Sequence, residues 1–380
     1  MRILIAIGVP RQEEAGAAGV VLNHARELTK KGHGVECWFL EDVLTPPVRP
    51  KRLEALIFAH RAAQRVLRQR GAYDVVNIHA PWACVYGFRR RILRPAGAPP
   101  CVMTMQGSEE RFVTVMRREQ HEGRASNFTW KNRFWHRVYH QQMYDWSIRT
   151  ADYGAVANRE ATIMAELKYD RQPGRIRFIP NGVGHEFFVD RSYVPHVPLR
   201  LLYVGTWLDR KGVYYLAESF QLLAREVSSV VLTVAGCGNF ESEIKASFAP
   251  EVRDRVAVVP FVARGAMPSL YAEHDIFVFP SLVEGMPLTL LEAMASGMPV
   301  VTTMSSGMAD VVENDFNGLL VPPADSPELT SAVRRLCKDV DLRCRLGHEA
   351  RKTMRRYAWE RVTESLEQIL MLAVKRERTN

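Results

Sequence analysis

Short apolar runs and helical periodicities alternate along almost the entire chain. Residues 2–8, 35–40, 74–79 and 100–105 each hold a compact apolar run, the pattern of strands buried on both faces. A helix is predicted to end near Lys31-Gly32-His33-Gly34, and residues 52–70 repeat apolar positions at the spacing of an amphipathic helix. Residues 109–150 read as helical and are crowded with aromatic and basic side chains, among them Trp130, Phe134, Trp135, Tyr139, Tyr144 and Trp146. Short strands follow at 153–157 and 176–180.

The pattern restarts near residue 199. Strands are predicted at 199–205, 230–236, 256–259 and 276–279, with a helix running from the Arg210-Lys211-Gly212 loop to about Glu226. Residues 190–198, polar and with two prolines, read as a hinge. The closing segment 357–374 places Trp359, Val362, Leu366, Ile369 and Leu370 at helical spacing. Strands alternating with helices argue for parallel sheets flanked by helices. Each half opens with strand, glycine-bearing turn and helix, the layout of a dinucleotide-type α/β domain. The expected division is 1–190 and 191–357, with the terminal helix 358–380 packing back on the first domain. The loops around Gly16 and Lys211 are expected to face each other across a cleft.

Length and composition leave room for two ordinary domains: 380 residues, 47% hydrophobic and 24% charged. No apolar run approaches the roughly 18 residues of a membrane-spanning helix. The apolar N-terminus is too brief for a signal peptide and reads as a first strand. Six cysteines lie far apart without a CxxC pair, as expected of buried thiols in a reducing cytoplasm. Charge is lopsided: residues 1–195 carry 30 Lys and Arg against 19 Asp and Glu, a net +11, and residues 196–380 carry 21 against 23, a net −2. Basic clusters stand at Arg49/Lys51/Arg52, Arg61/Arg65/Arg68/Arg70, Arg89–Arg91 with Arg94, and Arg117/Arg118. An anionic partner of the first half (a lipid surface, an anionic glycan or a nucleic acid) and a set of solvated helix faces explain this equally well.

The richest stretch is residues 284–292, Glu-Gly-Met-Pro-Leu-Thr-Leu-Leu-Glu. The apolar run before it ends at Pro280-Ser281, and the helix it opens stops at Gly297, with Pro299-Val-Val-Thr starting the next strand. Pro287 is expected in the first helical turn, where its missing N–H costs nothing. Free backbone donors and the positive dipole end then suit a phosphate, with Glu284 at the mouth and Glu292 in the helix accepting sugar hydroxyls. The segment reads as a nucleotide-sugar site.

With these residues in place, the chain resembles the family-4 retaining glycosyltransferases of the GT-B fold over nearly its whole length. Matching pieces are Gly16 with Gly32-His33, residues 74–79, Thr104-Met-Gln-Gly-Ser108, residues 177–183, residues 204–212, residues 234–238, the Glu-x7-Glu segment in its Pro-Ser and Gly-x-Pro-Val-Val frame, and Asn317-Gly-Leu-Leu-Val321. The resemblance implies two facing Rossmann-like domains with parallel sheets and an interdomain cleft. It also implies transfer of a sugar from a nucleoside diphosphate, UDP or GDP foremost, to a hydroxyl of a glycan, a lipid-linked or a small-molecule acceptor. The anomeric configuration is retained, and neither a metal nor a cofactor is required. By the family pattern Lys211 is the phosphate cation, Glu284 holds the transferred sugar and Glu292 the ribose. Gly16, Gly205, Thr206, Arg210, Gly285, Met286, Pro287, Leu288 and Thr289 line the donor, Gln106 stands near the reacting centre, and Gly107 lies on the acceptor side; His79, at a strand end facing the expected cleft, reads equally as an acceptor-side residue or as a satisfied core histidine.

Three departures matter. Gln106 replaces a common histidine and cannot carry charge. Thr206 stands where an arginine is frequent, which removes one phosphate cation unless Arg210 compensates. Gly184 replaces a common aspartate. A degenerate, non-catalytic relative that binds glycans is one alternative; a nucleotide-sugar 2-epimerase or sugar-phosphate synthase on the same architecture is another. No nucleic-acid module accompanies the basic residues, so nucleic acid is not an expected partner. His121, His136 and His140 read as structural or acceptor-facing. Asp339-Val-Asp341 resembles a metal motif of a different glycosyltransferase fold and reads here as chance. A cytoplasmic protein, with or without peripheral contact to an anionic membrane through 111–149, fits the whole.

Overall fold

A computed structural model describes residues 1–12, 16–45, 51–69, 71–93, 95–125 and 134–379. Arg49, Arg70, Arg94 and Trp130 lie outside the described residues, as does the side chain of Arg52. The chain forms two compact units: Met1–Val113, Thr129–Asn181 and Trp359–Asn380 make one, and Thr114–Phe128 with Gly182–Ala358 make the other.

The first unit is built on six parallel strands: β1 (Arg2–Ala6), β2 (Gly34–Trp38), β3 (Val75–His79), β4 (Cys101–Met105), β5 (Tyr153–Val156) and β6 (Ile176–Phe178), in the order β2-β1-β3-β4-β5-β6. Strands β3 and β4 are buried at every position, which is why they read as unbroken apolar runs rather than as alternation. Leu4, Val76, Ile78 and Met103 join one core with Phe58, Tyr86 and Ile148, while Ile3, Ile5, Val75 and Val102 join a second core on the opposite face. Val362, Leu366, Ile369 and Leu370 of the terminal helix Trp359–Thr379 fill that second core.

Boundaries differ from the sequence pattern for local reasons. β2 stops at Trp38 because the Phe39 N–H donates to the Asp42 carboxylate at 2.8 Å, opening the short helix Leu40–Val43. The 109–150 stretch is not one helix. Glu109–His121 ends at a turn where Gly123 has φ +73° and Arg124 N–H reaches Glu119 O at 2.8 Å. A π-helical turn, His136–His140, then leads into Gln141–Thr150. The helix Ala83–Leu93, which apolar spacing alone does not announce because three arginines interrupt it, packs on Glu54–Arg68 and Gln141–Thr150.

The second unit has the strand order β12-β11-β10-β7-β8-β9, again all parallel. Its strands are β7 (Leu199–Val204), β8 (Val230–Ala235), β9 (Val256–Val259), β10 (Ile276–Phe279), β11 (Val300–Thr303) and β12 (Leu319–Val321). Connections run outward from β7 in one direction and resume at β10 in the other, so the order reverses between these two neighbours. Residues 114–125 join this unit through a clasp. Tyr215 OH donates to the buried Glu119 carboxylate at 2.8 Å, Arg124 donates to Tyr215 OH at 2.7 Å, and the Arg124 guanidinium lies over the Tyr214 and Tyr215 rings. Asp339 caps the helix Val340–Met354 by accepting the Leu342 N–H at 2.8 Å, which accounts for one half of the Asp-x-Asp match. Of the cysteines, Cys84, Cys101 and Cys237 are buried and the other three half-buried; all are free thiols. Among the described residues no helix is long and apolar enough to cross a membrane.

His24 holds the terminal helix to Gly16–Lys30. It hydrogen-bonds Thr363 Oγ1 at 2.9 Å and meets the Trp359 ring edge-on at 5.2 Å. Burial lowers its pKa from 6.5 to about 4. Acidification through that window protonates the unfolded chain before the folded one, so stability falls with pH by up to about 3 kcal/mol from this group. Urea midpoints of the wild-type protein should drop between pH 7 and pH 4. His24→Gln, which still hydrogen-bonds but cannot titrate, should show a shallower drop over the same interval.

Candidate functional site

In a parallel sheet of this kind, ligands collect at the carboxyl ends of the strands where the order reverses. In the second unit that place lies between β7 and β10, and the loops leaving these strands carry Arg210-Lys211 and Glu284. Gly205, directly after β7, has φ +152°, which a β-carbon would strain. Gly212 has φ +70°, and a β-carbon there would fall 1.9 Å from Pro280 O at the end of β10. The two loops are therefore pressed together. They are also pinned, because Leu282 N–H and Ser281 Oγ both donate to Arg210 O, at 2.9 and 3.1 Å.

This contact brings two cations onto one carboxylate oxygen. Lys211 Nζ lies 2.7 Å and Arg210 Nη1 2.8 Å from Glu284 Oε1, and Ser281 Oγ stands 3.1 Å from the same atom, its one proton shared between Glu284 and Arg210 O. The Lys211 ammonium also lies 5.1 Å from the centre of the Phe279 ring. Burial raises the cost of the Glu284 charge, but Lys211 and Arg210 outweigh it and hold its pKa below the usual carboxylate value. Thr206 contributes no cation; its carbonyl accepts Tyr203 OH at 3.1 Å.

Glu292 sits in a different setting. It is 3% exposed, accepts Tyr271 OH at 2.9 Å and pairs with Arg264, whose guanidinium also reaches Glu186 at 3.4 Å and covers the Phe187 ring. Here burial wins over the single guanidinium, and the pKa of Glu292 is raised. Arg264, Tyr271 and Glu186 carry no motif of their own and are not legible in the sequence, whereas Ser281 belongs to the Pro-Ser strand end, though its bond to Glu284 is not legible there. Pro287 is not in the first turn: it is the N-cap residue, in extended conformation, and the helix Leu288–Ala295 begins after it. The N–H groups of Leu288 and Thr289 thus stand in the first turn of the helix. The preceding turn is held by Gly307, where a β-carbon would lie 1.7 Å from Gly285 O; it carries Met286, buried, behind Gly285.

The remaining candidates belong to the first unit. Gly16 opens the helix Gly16–Lys30 with φ +39°, and no described atom lies within 4 Å of where its β-carbon would be. His79 ends β3, is 2% exposed, and burial lowers its pKa to about 3, so it is a neutral imidazole at physiological pH. Gln106 follows β4 beside Gly107, and its side-chain oxygen accepts Asn181 Nδ2 at 3.0 Å. Asn181, from the Pro-Asn-Gly motif, therefore orients the residue that replaces the common histidine. Among the described residues no three His, Cys, Asp or Glu side chains gather as a metal-binding group.

Two family models match the chain. One, described as Glycosyltransferase Family 4, covers residues 15–187; the other, Glycosyl transferases group 1, covers residues 198–339. The chain is 33% identical over 148 residues to the amylovoran biosynthesis glycosyltransferase AmsK of Erwinia amylovora, a match covering 37% of this chain and 36% of that protein. It is 25% identical over 286 residues to UDP-Gal:alpha-D-GlcNAc-diphosphoundecaprenol alpha-1,3-galactosyltransferase of Escherichia coli, covering 72% and 68%. The matches to these two relatives thus span 36% and 68% of their lengths. Sucrose-phosphate synthase from Thermosynechococcus elongatus shares the fold, with a TM-score of 0.78 at 18% identity over 98% of this chain and 99% of that one.

Because the Lys211 loop depends on a glycine that touches Pro280, Gly212→Ala should displace it. The expected cost is about 2 kcal/mol or more, since both the positive φ and the backbone overlap oppose the new methyl group. A thermal melt that left the variant at the wild-type midpoint would contradict this packing.

Proposed function

This chain belongs to glycosyltransferase family 4, and from that we propose that it transfers a sugar from a nucleoside diphosphate to an acceptor hydroxyl with retention of configuration. The observation that carries the reading is the convergence of Arg210 and Lys211 on Glu284 at the strand-order reversal between β7 and β10. Bond breaking at the sugar carbon leaves the electron pair, and hence negative charge, on the diphosphate oxygen. Lys211, Arg210 and the N–H groups of Leu288 and Thr289 are the fixed positive groups available to it, so the charge is neutralised by the chain rather than by a metal. The acceptor oxygen bonds to the same sugar carbon, and its proton passes to the leaving phosphate oxygen. No protein base is needed in this scheme, which suits an uncharged Gln106.

In this reading Glu284 receives hydroxyls of the transferred sugar once a diphosphate draws Lys211 and Arg210 away. Glu292 reads the ribose, and Gln106, oriented by Asn181, is the uncharged residue that the family resemblance assigns near the reacting centre. The backbone at Gly205, Thr206 and Gly285–Pro287 lines the donor within the second unit, and Gly107 is the acceptor-side candidate of the first. The name of the Escherichia coli relative pairs a uridine donor with a lipid-linked acceptor, which supports both for this chain and ranks a UDP-sugar before a GDP-sugar. A glycan or a small-molecule acceptor remains the second choice, and an epimerase or sugar-phosphate synthase would be told apart by product analysis with and without acceptor.

Glu284→Gln tests the arrangement. Removing the carboxylate leaves Lys211 and Arg210 facing no anion, so the free protein should lose about 3 kcal/mol. UDP or GDP supplies the missing charge, so the rise in melting temperature on adding the nucleotide should exceed that of the wild type, while sugar transfer falls. For scale, a ligand at a hundred times its dissociation constant stabilises by roughly 2.7 kcal/mol. Wild-type protein whose melting point ignores every nucleoside diphosphate, or Lys211→Ala protein with full transferase activity, would refute the assignment.

A further inference from the structure

Within the second unit, one buried ring seats both partners of Glu292. Phe187, fully buried, closes the short helical turn His185–Phe187 and meets Tyr271 edge-on at 5.9 Å. The Arg264 guanidinium lies over the same ring, 4.6 Å from its centre. Arginine and tyrosine divide the carboxylate between them: Arg264 Nη1 pairs with Glu292 Oε1, and Tyr271 OH donates to Oε2 at 2.9 Å. Each oxygen keeps a lone pair for a further donor. The other arm of the guanidinium, Nη2, reaches Glu186 Oε1 at 3.4 Å. Glu186 gets there through space left by Gly184. That glycine has φ −77° and ψ 154°, extended backbone that any residue adopts, so the turn itself does not call for it. A β-carbon at 184, however, would fall 2.1 Å from Glu186 Oε2 and 2.3 Å from Oε1. The Glu186 carboxylate thus fills the place where the aspartate common at this position would begin.

We propose that Arg264 and Glu186 are positioning residues that aim the Glu292 carboxylate at the ribose, with Glu186 supplying, from two places along the chain, the anion that Gly184 lacks. This rests on the reading of Glu292 as the group that accepts ribose hydroxyls. A carboxylate with that task has to be both charged and still. Arg264 serves both needs: its charge opposes the protonation that burial favours, and the Phe187 ring and the Glu186 carboxylate take up the freedom of its long side chain. Tyr271 and Glu186 are the other titratable groups acting on Glu292 among the described residues. Tyr271 favours the charged form by its hydrogen bond. The negative charge of Glu186 acting alone would push Glu292 toward protonation, so its contribution is to hold the guanidinium in place.

Calorimetric titration of the full chain with UDP and with 2′-deoxy-UDP tests the relay; if only GDP raises the melting point, the guanosine pair takes their place. The two nucleotides share base and diphosphate, so the ratio of their affinities ignores a general loosening of the donor loops. Wild type should prefer UDP by roughly tenfold or more, the worth of a hydrogen bond to a charged acceptor. Glu186→Ala should cut that preference by about two- to fivefold, as expected on losing a half-exposed ion pair. Gly184→Asp/Glu186→Ala, which returns a carboxylate to the turn, should restore it. Arg264→Gln should bring the ratio close to one, and any preference left should fade at a higher pH than in the wild type, whereas Arg264→Lys keeps the wild-type pH profile. A wild type that does not distinguish the nucleotides would overturn the ribose reading and the relay together. Wild-type preference that survives intact in both Glu186→Ala and Arg264→Gln would overturn the relay alone, and a double variant no better than Glu186→Ala would remove the role given to the carboxylate. Should Arg264→Gln melt early, Glu186→Ala, altered only at an exposed side chain, reads the same ratio.

Discussion

A carboxylate withdrawn from water must be matched by positive charge or give up its own, and this organises the second unit. Glu284 keeps its charge because Lys211 and Arg210 both reach one of its oxygens. They reach it only because Gly212 lets one loop touch the end of the neighbouring strand at Pro280. Strand order, glycine and ion pair form one dependency. The adjacency of β7 and β10 places the loops, the glycine sets their distance, and the charges fix their side chains. Glu292, with one guanidinium and a phenol, sits on the other side of the same balance, and its pKa moves the opposite way.

Much of this was legible in the residues. The buried strands announced themselves because parallel strands covered on both faces must be apolar throughout, and two parallel sheets are what the alternation implied, although the three-residue β12 at Leu319–Val321 is too short to show as a run. Glu284, Lys211 and a helix opening near Pro287 stand out in the sequence through glycine, proline and charge at fixed spacing, and the fold brings Glu284 and Lys211 together; the roles given to them come from the family resemblance. Arg264 and Tyr271 were not, since a loop arginine and a helical tyrosine are ordinary until the fold brings them to a carboxylate. Asn181 belongs with them: its motif was visible, but its hydrogen bond to Gln106 joins residues 75 positions apart.

Besides the helix Ala83–Leu93, which the pattern does not announce, the differences are of boundary and cap. β2 ends early because Asp42 takes the Phe39 N–H, a competition that hydropathy does not register. Pro287 stands one place before the position expected of it, which leaves the Leu288 and Thr289 N–H groups in the first turn. The long aromatic stretch breaks at Gly123, a glycine whose left-handed backbone outweighs the helical propensity around it.

The clasp of Glu119, Tyr215 and Arg124 bears on how such proteins can be recombined. The chain visits the second unit in two separate passages, and the shorter, residues 114–128, is encoded deep within the first half of the gene. A chimera that exchanges only the stretch after the prolines at 195 and 198 would graft a foreign partner onto Glu119 and Arg124. Swapping that insert together with the carboxy-terminal half keeps each phenol beside the acid and guanidinium with which it was selected.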